Sequence, residues 1–403
     1  MGNKDLPISI SMPRGVSQVL DRLTGAGYDA WLVGGCLRDL YLGHPQKDWD
    51  VASSALPEEV EKLFPHTVPT GIRYGTVTVL TSGMKVEVTT FRAEGAYHDS
   101  RHPDTVAFLS SIEADLSRRD FTINAMAYHP DRGWRDLYGG RGDCDRGIIR
   151  CVGAPAERFS EDALRMLRAI RFAAQLGFRL DGATGAAIRE NAAAIRDIAA
   201  ERIREELIKI LLAPHAGAGL RLLGKTGLGV RILPGAALEV FCWNPAPWPR
   251  DIVLRLSGLF CAAYGDRQEV GAALARLRFD NATKGDVLFL YDTRDITPVS
   301  DPEWVRRRLY EWGERRMGLY LTCQRAMGRP VEAARKTYTG VIERGECVSL
   351  NGLAVNGKDL IEMGIAPGPA VGEALERLMD AVLSEPGMNT KQKLTRILRD
   401  QPK

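Results

Sequence analysis

Two short runs carry the first chemistry in this chain. Leu32-Val-Gly-Gly-Cys-Leu-Arg-Asp39 supplies a glycine pair, and Lys47-Asp-Trp-Asp-Val51 supplies two carboxylates. Trp31, Leu32 and Val33 read as the end of a buried strand, and Gly34-Gly35 as a turn whose N–H groups can approach phosphate oxygens closely. Arg38 follows Gly35 by about one helical turn and can reach the same phosphates. Asp48 and Asp50 are two apart, so on a strand they point the same way and can share one hard cation. The combination suggests a triphosphate held over divalent metal ions, the arrangement used for in-line phosphoryl transfer. By itself the Asp-x-Asp spacing fits a solvated strand end equally well. Lys85-Val-Glu-Val-Thr-Thr-Phe91 alternates like a half-buried strand, placing Glu87 opposite Val86 and Val88. Glu87 is either an exposed edge residue or a third metal-facing carboxylate.

Further on come Arg118-Arg-Asp-Phe-Thr-Ile-Asn-Ala125 and Glu161-Asp-Ala-Leu-Arg-Met-Leu-Arg-Ala-Ile-Arg-Phe172. Asp162 and Arg165 are three apart, so on one helix they share a face and can address one planar ligand. A carboxylate only accepts hydrogen bonds and a guanidinium only donates them. Cytosine and adenine each set an exocyclic amino donor beside a ring-nitrogen acceptor, which suits the pair; uracil and guanine reverse both. The competing reading is an ordinary intrahelical salt bridge. Arg168 and Arg171 continue the row and can hold phosphates or an RNA end. Leu164, Leu167, Ile170 and Phe172 supply the helix's apolar stripe, so these arginines need not be core. Asp120 precedes an apolar run and is placed to cap a following helix.

These motifs, in this order, closely resemble the class II tRNA nucleotidyltransferases, the bacterial CCA-adding enzymes of the poly(A) polymerase family in the DNA polymerase β-like superfamily. The resemblance covers about the first half of the chain, with a weaker echo at Leu353–Leu360 and Pro367–Gly372. It implies an α+β fold: a polymerase β-like head of mixed sheet and helices over residues 1–150, then a mostly helical neck (151–213), body (214–350) and tRNA-binding tail (351–403). It implies Asp48, Asp50 and Glu87 as catalytic, with Asp48 and Asp50 holding Mg²⁺. Gly35, Arg38, Arg119, Asp120, Asp162, Arg165, Arg168 and Arg171 become nucleotide ligands, Asp120 near the ribose. The implied partners are CTP, ATP and the tRNA 3′ end, with no obligate protein partner.

Composition adds bounds. At 403 residues the chain accommodates two to four domains, and its net charge of +3 is too small to argue for nucleic acid by itself. Trp304 to Arg316 is a local basic excess, fitting either a tRNA contact or a solvated helix with Trp304 and Trp312 packed inward. Seven scattered cysteines form no C-x-x-C pair, and no apolar run approaches the ~20 residues that span a bilayer. No export signal is evident at the N-terminus, so a cytoplasmic location is expected. Tyr138–Gly142 reads as a glycine-rich turn. From Pro155 onward the periodicity is helical, with breaks at Ala213–His215, Asn244–Pro249 and near Gly352. No phosphohydrolase-like histidine–aspartate domain follows the neck.

The expected reaction is untemplated addition of C, C and A to tRNA, with pyrophosphate released. Its rivals are an A-only enzyme, a CC-only enzyme, a bacterial poly(A) polymerase and a non-catalytic nucleotide or RNA binder. Against the polymerase, Pro69–Thr76 lacks the Gly-Arg-Arg-Phe type of segment shown by the polymerases of this family. The polar stretch Arg92–Thr105 reads as a mobile loop, and in this family the comparable loop is associated with the switch from C to A, which disfavours CC-only addition.

Overall fold

The computed structural model describes residues 10–46, 48–71, 75–94, 106–108 and 111–399. The chain packs as two compact units, 1–244 with 273–279, and 245–272 with 280–403. The change falls inside the proline-rich stretch Asn244–Pro249, whereas Ala213–His215 lies within the first unit and Gly352 within the second.

The first unit opens with α1 (Arg14–Gly25), β1 (Ala30–Val33), α2 (Gly34–Tyr41), β2 (Trp49–Ser53), α3 (Pro57–Leu63), β3 (Thr67–Gly71), β4 (Thr76–Thr81) and β5 (Met84–Thr90). The short strands β6 (Arg92–Glu94) and β7 (Val106–Phe108), helix α4 (Ile112–Ser117), β8 (Ala127–His129), β9 (Gly133–Arg135), α5 (Gly140–Arg146) and β10 (Ile148–Ile149) follow. Seven strands form one sheet in the order β3-β4-β5-β2-β1-β8-β9. Its neighbours are antiparallel except β2 and β5, which run parallel. That parallel pair sets Asp50 level with Glu87, and residues level in a ladder face the same side. Alternation in β5 places Val86 and Val88 in the core and leaves Glu87 exposed. On one flank Trp31, Val33, Ala52 and Phe91 pack with Ile112 and Leu116 of α4.

The rest of this unit is helical: α6 (Pro155–Glu161), α7 (Leu164–Leu176), the short β11 (Arg179–Leu180) beside β10, then α8 (Gly182–Asn191), α9 (Ala200–Leu211), α10 (Ala216–Thr226) and α11 (Gly229–Ile232). The mixed-sheet head followed by helices agrees with the α+β expectation.

Three local expectations are corrected. Asp162 does not share a helix with Arg165: it is extended (φ −147°, ψ 105°) between α6 and α7, where its Oδ1 accepts the Leu164 N–H at 3.0 Å. Asp120 caps no α-helix, because Thr122–Asn124 is a single 3₁₀ turn headed by Phe121. Tyr138–Gly142 runs directly into α5, which starts at Gly140, where a Cβ would meet the Thr122 carbonyl at 2.2 Å. Of the polar stretch 92–105 read as a loop, residues 92–94 form β6, paired antiparallel with β7 (106–108) just beyond it, and residues 95–105 lie outside those described.

The second unit contains α12 (Ile252–Ala263), α14 (Asn281–Asp292), α15 (Pro302–Ala326), α16 (Glu332–Glu343), α17 (Gly357–Glu362), α18 (Pro369–Ser384) and α19 (Lys391–Arg399); α13 (Arg267–Arg276) spans the boundary. Helix α15 kinks at Gly313 (φ 77°). Much of its basic run is internally compensated. Buried Arg306 donates to the carbonyls of Leu383 and Ser384 at the end of α18, and Arg315 and Arg316 pair with buried Asp286. Trp304 and Trp312 stand edge to face at 6.3 Å, both against Tyr320, with Arg308 over the two indoles.

Candidate active site

A cavity of about 520 Å³ opens in the first unit, large enough for a nucleotide. Its wall includes Gly34, Gly35, Arg38, Asp50, Arg118, Arg119, Asp120, Asp162, Arg165 and Arg168, drawn from β1, α2, β2 and the segments around α4 and α7.

The floor is built from the strand-to-helix joint. Gly34 takes φ 78°, and a Cβ there would stand 3.2 Å from Asp50 Oδ2 and 3.4 Å from Arg119 Nη1. Glycine is therefore required both by backbone conformation and by the close approach of an acid and a base. Helix α2 starts at once and has no side-chain cap, so its first N–H groups are offered to a ligand anion. Arg38 is held by Asp39 (2.8 and 2.9 Å) and by Asn124 Oδ1 (2.7 Å), and its guanidinium lies 5.2 Å from the Phe172 ring centre.

The acidic side is under electrostatic stress. Burial, then the Glu87 charge, with Asp48 adding and Arg119 partly offsetting, pushes the Asp50 carboxyl up to about 6. Asp48 is exposed, one residue before β2 begins. Beneath them the Cys36 thiol points at the Val33 carbonyl, and burial pushes it up to about 12, so it stays neutral. Among the described residues no three His, Cys, Asp or Glu side chains form a ready-made metal cage. Two facing carboxylates that repel each other nevertheless suit a hard cation that keeps waters and takes its remaining oxygens from a phosphate.

The opposite side consists of paired charges. Asp162 Oδ2 accepts from Arg202 of α9 at 2.9 Å, while Arg165 pairs with Glu161 and donates to the Arg118 carbonyl at 3.3 Å. The intrahelical Asp162–Arg165 bridge is thus not the arrangement found; each is held by a different partner, and both line the cavity. Asp120 accepts from Arg168 (2.5 and 2.8 Å), from its neighbour's N–H and from Asn124. Burial alone would raise its pKa, but Arg168 and these hydrogen bonds hold the carboxyl below the usual range. Arg171 is not brought to the cavity wall. It is 9% exposed, pairs with buried Glu206 at 2.5 Å and stacks on Phe172, so it belongs to the core rather than to the ligand set in which the sequence placed it.

Sequence reasoning missed Arg202, Phe172, Asn124 and Asp115 as contributors. Asp115 precedes Arg118 and Arg119 by three and four residues, a helical ion-pair spacing that was readable. Arg202 is forty residues from Asp162, and no local pattern joins them.

The chain matches the family model of the poly A polymerase head domain over residues 30–150. It also matches the probable RNA and SrmB-binding site of polymerase A over 177–239 and the putative tRNA nucleotidyltransferase domain 2 over 256–398. It is 37% identical to the CCA-adding enzyme of Limosilactobacillus fermentum, covering 93% of this chain and 94% of that one. The CCA-adding enzyme of Geobacillus stearothermophilus is 38% identical over the same shares. Among solved structures, the Bacillus stearothermophilus CCA-adding enzyme in complex with CTP matches with a TM-score of 0.81 at 34% identity, covering 96% of this chain and 98% of that one. The chain belongs to the CCA-adding enzymes, tRNA nucleotidyltransferases built on the poly A polymerase type of head.

Proposed function

We propose that the protein adds C, C and A in turn to the 3′ end of tRNA, consuming CTP and ATP and releasing pyrophosphate. The observation that carries this reading is the meeting, in one cavity, of Asp50, set level with the repelling Glu87 of the next strand, with the Asp162–Arg165 donor and acceptor set. A mere nucleotide binder has no use for the first, and a templated polymerase has none for the second.

In this reading Gly34, Gly35, the start of α2, Arg38 and Arg119 hold the triphosphate, with the α-phosphate toward Asp50. Asp48, Asp50 and Glu87 would hold the divalent cation, Mg²⁺ by the hardness of their oxygens. When bound, that ion supplies charge neutralisation at the phosphates and eases deprotonation of the attacking hydroxyl. Asp162 accepts from the base's amino group and Arg165 donates to its ring nitrogen. Arg202 and Glu161 keep these two groups aimed, so the protein stands in for a template strand. Asp120, held by Arg168, lies ready for the ribose. Residues 1–150 act as head, 151–213 as neck, 214–350 as body and 351–403 as tail, the last two on the tRNA. No helix among the described residues is long and apolar enough to cross a membrane, and a cytoplasmic site of action fits a tRNA substrate.

The deciding experiment supplies tRNAs ending before the CCA, after C and after CC with each labelled nucleotide singly, and measures product lengths. C entering the first two and a single A entering the third is the expected result. A entering only the third substrate identifies an A-only enzyme, long A tracts a poly(A) polymerase, and no extension a binder.

A further inference from the structure

Asp115 sits in the last turn of α4, among Ile112, Leu116 and the Trp31–Phe91 core, and its side chain is 1% exposed. A surface helix pair at this spacing contributes only tenths of a kcal/mol. Here one carboxylate serves two neighbouring cavity arginines. Its Oδ1 accepts from Arg118 Nη2 (2.6 Å) and Nε (3.1 Å), and its Oδ2 from Arg119 Nη2 (2.9 Å) and Nε (3.2 Å). Both guanidiniums are thus gripped along the same edge. For Arg119 this turns Nη1 toward the start of α2, 3.3 Å from the Asn124 carbonyl and 3.4 Å from where a Gly34 Cβ would be. Asp50 Oδ2 borders that same point at 3.2 Å.

We propose that Asp115 is a positioning residue for the triphosphate: it fixes Arg119 over Gly34 and holds that guanidinium off the Asp50–Glu87 acids. The proposal rests on the reading of this cavity as a triphosphate site. Physically, Arg119 has two competing anions, Asp115 on one side and the Asp50–Glu87 pair on the other. Asp115 wins because it offers two hydrogen bonds in a water-poor pocket, where charge-assisted bonds are strongest. Burial would by itself raise its pKa, yet Arg119 and Arg118 hold it below the usual carboxylate range, so it is a full counter-charge. Without that charge, Arg118 and Arg119 repel each other, and Arg119 can fold onto the acids as an internal counter-ion. The cavity would then lose a phosphate ligand and its cation-binding pair together.

The test uses the full chain without tRNA, so that no transfer occurs. Titration calorimetry measures CTP, ATP and UTP in EDTA, and Mn²⁺ separately, for Asp115→Asn, Arg119→Ala, the double variant and Leu116→Ala. Asp115→Asn is expected to weaken CTP and ATP by the same factor, about tenfold for the loss of one well-aimed charge-assisted contact, while the CTP-to-UTP ratio holds. Mn²⁺ binding weakens as well. The double variant binds CTP no worse than Arg119→Ala, because the two residues act in series. Leu116→Ala, a cavity in the same core, lowers the melting temperature but keeps CTP affinity. Normal CTP binding by Asp115→Asn beside a loss in Arg119→Ala overturns the positioning role alone, as do additive losses or an equal loss in Leu116→Ala. No loss in Arg119→Ala overturns the triphosphate reading, and the proposal with it.

Discussion

The two walls of the cavity treat charge in opposite ways. On the sheet wall, Asp50 is buried level with Glu87 of the adjacent parallel strand, and burial with that charge pushes it up to about 6. On the helical wall, each acid is matched: Asp120 with Arg168, Asp162 with Arg202 and Glu161 with Arg165. Asp120 is accordingly held below its usual range. In the proposed function an external cation would relieve the repulsion beside the sheet wall, whereas the helical wall, its charges already paired, would discriminate by the direction of its hydrogen bonds. On that proposal one wall would serve chemistry common to every nucleotide and the other the choice among them.

That contrast breaks most visibly at Asp50. Asp50→Ala should slow addition of both C and A by on the order of a thousandfold or more, at least ~4 kcal/mol of barrier. Single-turnover assays with tRNA binding measured in parallel check this; retention of a tenth of the rate would remove Asp50 from the reaction.

Next in size is Arg171, which the cavity excludes. Arg171→Ala leaves Glu206 in the core with Lys209 at 3.3 Å as its remaining ion-pair partner among the described residues, and should cost about 3 kcal/mol of stability. CTP affinity should stay within about twofold, since no cavity contact is lost. Denaturant melts beside calorimetry decide it, and a selective loss of affinity would restore Arg171 as a ligand.

On the helical wall, Asp162→Ala and Arg165→Ala should reduce discrimination against UTP and GTP by roughly 1–3 kcal/mol, the cost of an unpaired buried polar group. Competition assays with mixed nucleotides report the ratio. Unchanged selectivity in both variants would leave the pairs a purely structural part.

The smallest effect sharpens the electrostatic side. An acid whose pKa is raised by folding costs nothing below its ordinary 3.8, where folded and unfolded chains are both protonated. The cost grows as pH rises to about 6 and is constant above. Asp50→Asn should therefore raise the metal-free melting temperature at pH 7.5 but not at pH 3.5. A shift of a few degrees is expected, at roughly 2–4 °C per kcal/mol for a domain of this size. Divalent metal should erase the difference by stabilising only the unsubstituted protein. Melting curves at the two pH values, with and without metal, test the sign.

Some of this was written in local sequence. The period-2 alternation around Glu87, the strand ending at Val33 and the glycine pair beyond it are short-range steric facts, so they were legible before any fold was known. The helical periodicity of α7, α9 and α18 was legible for the same reason. The break at Asp162 was not, because the apolar spacing runs through it unchanged and only the capping of Leu164 N–H and the Arg202 contact favour an extended residue there. Nor could sequence say that Arg171 is buried while Arg168 faces the cavity, since both occupy polar slots in one helical stripe and their fates depend on Glu206 and Asp120, brought from elsewhere in the chain. Residue types and spacing determined which groups could do chemistry. The tertiary structure decided which charges meet, because a pairing across forty residues is fixed by the packing of whole elements and leaves no local trace.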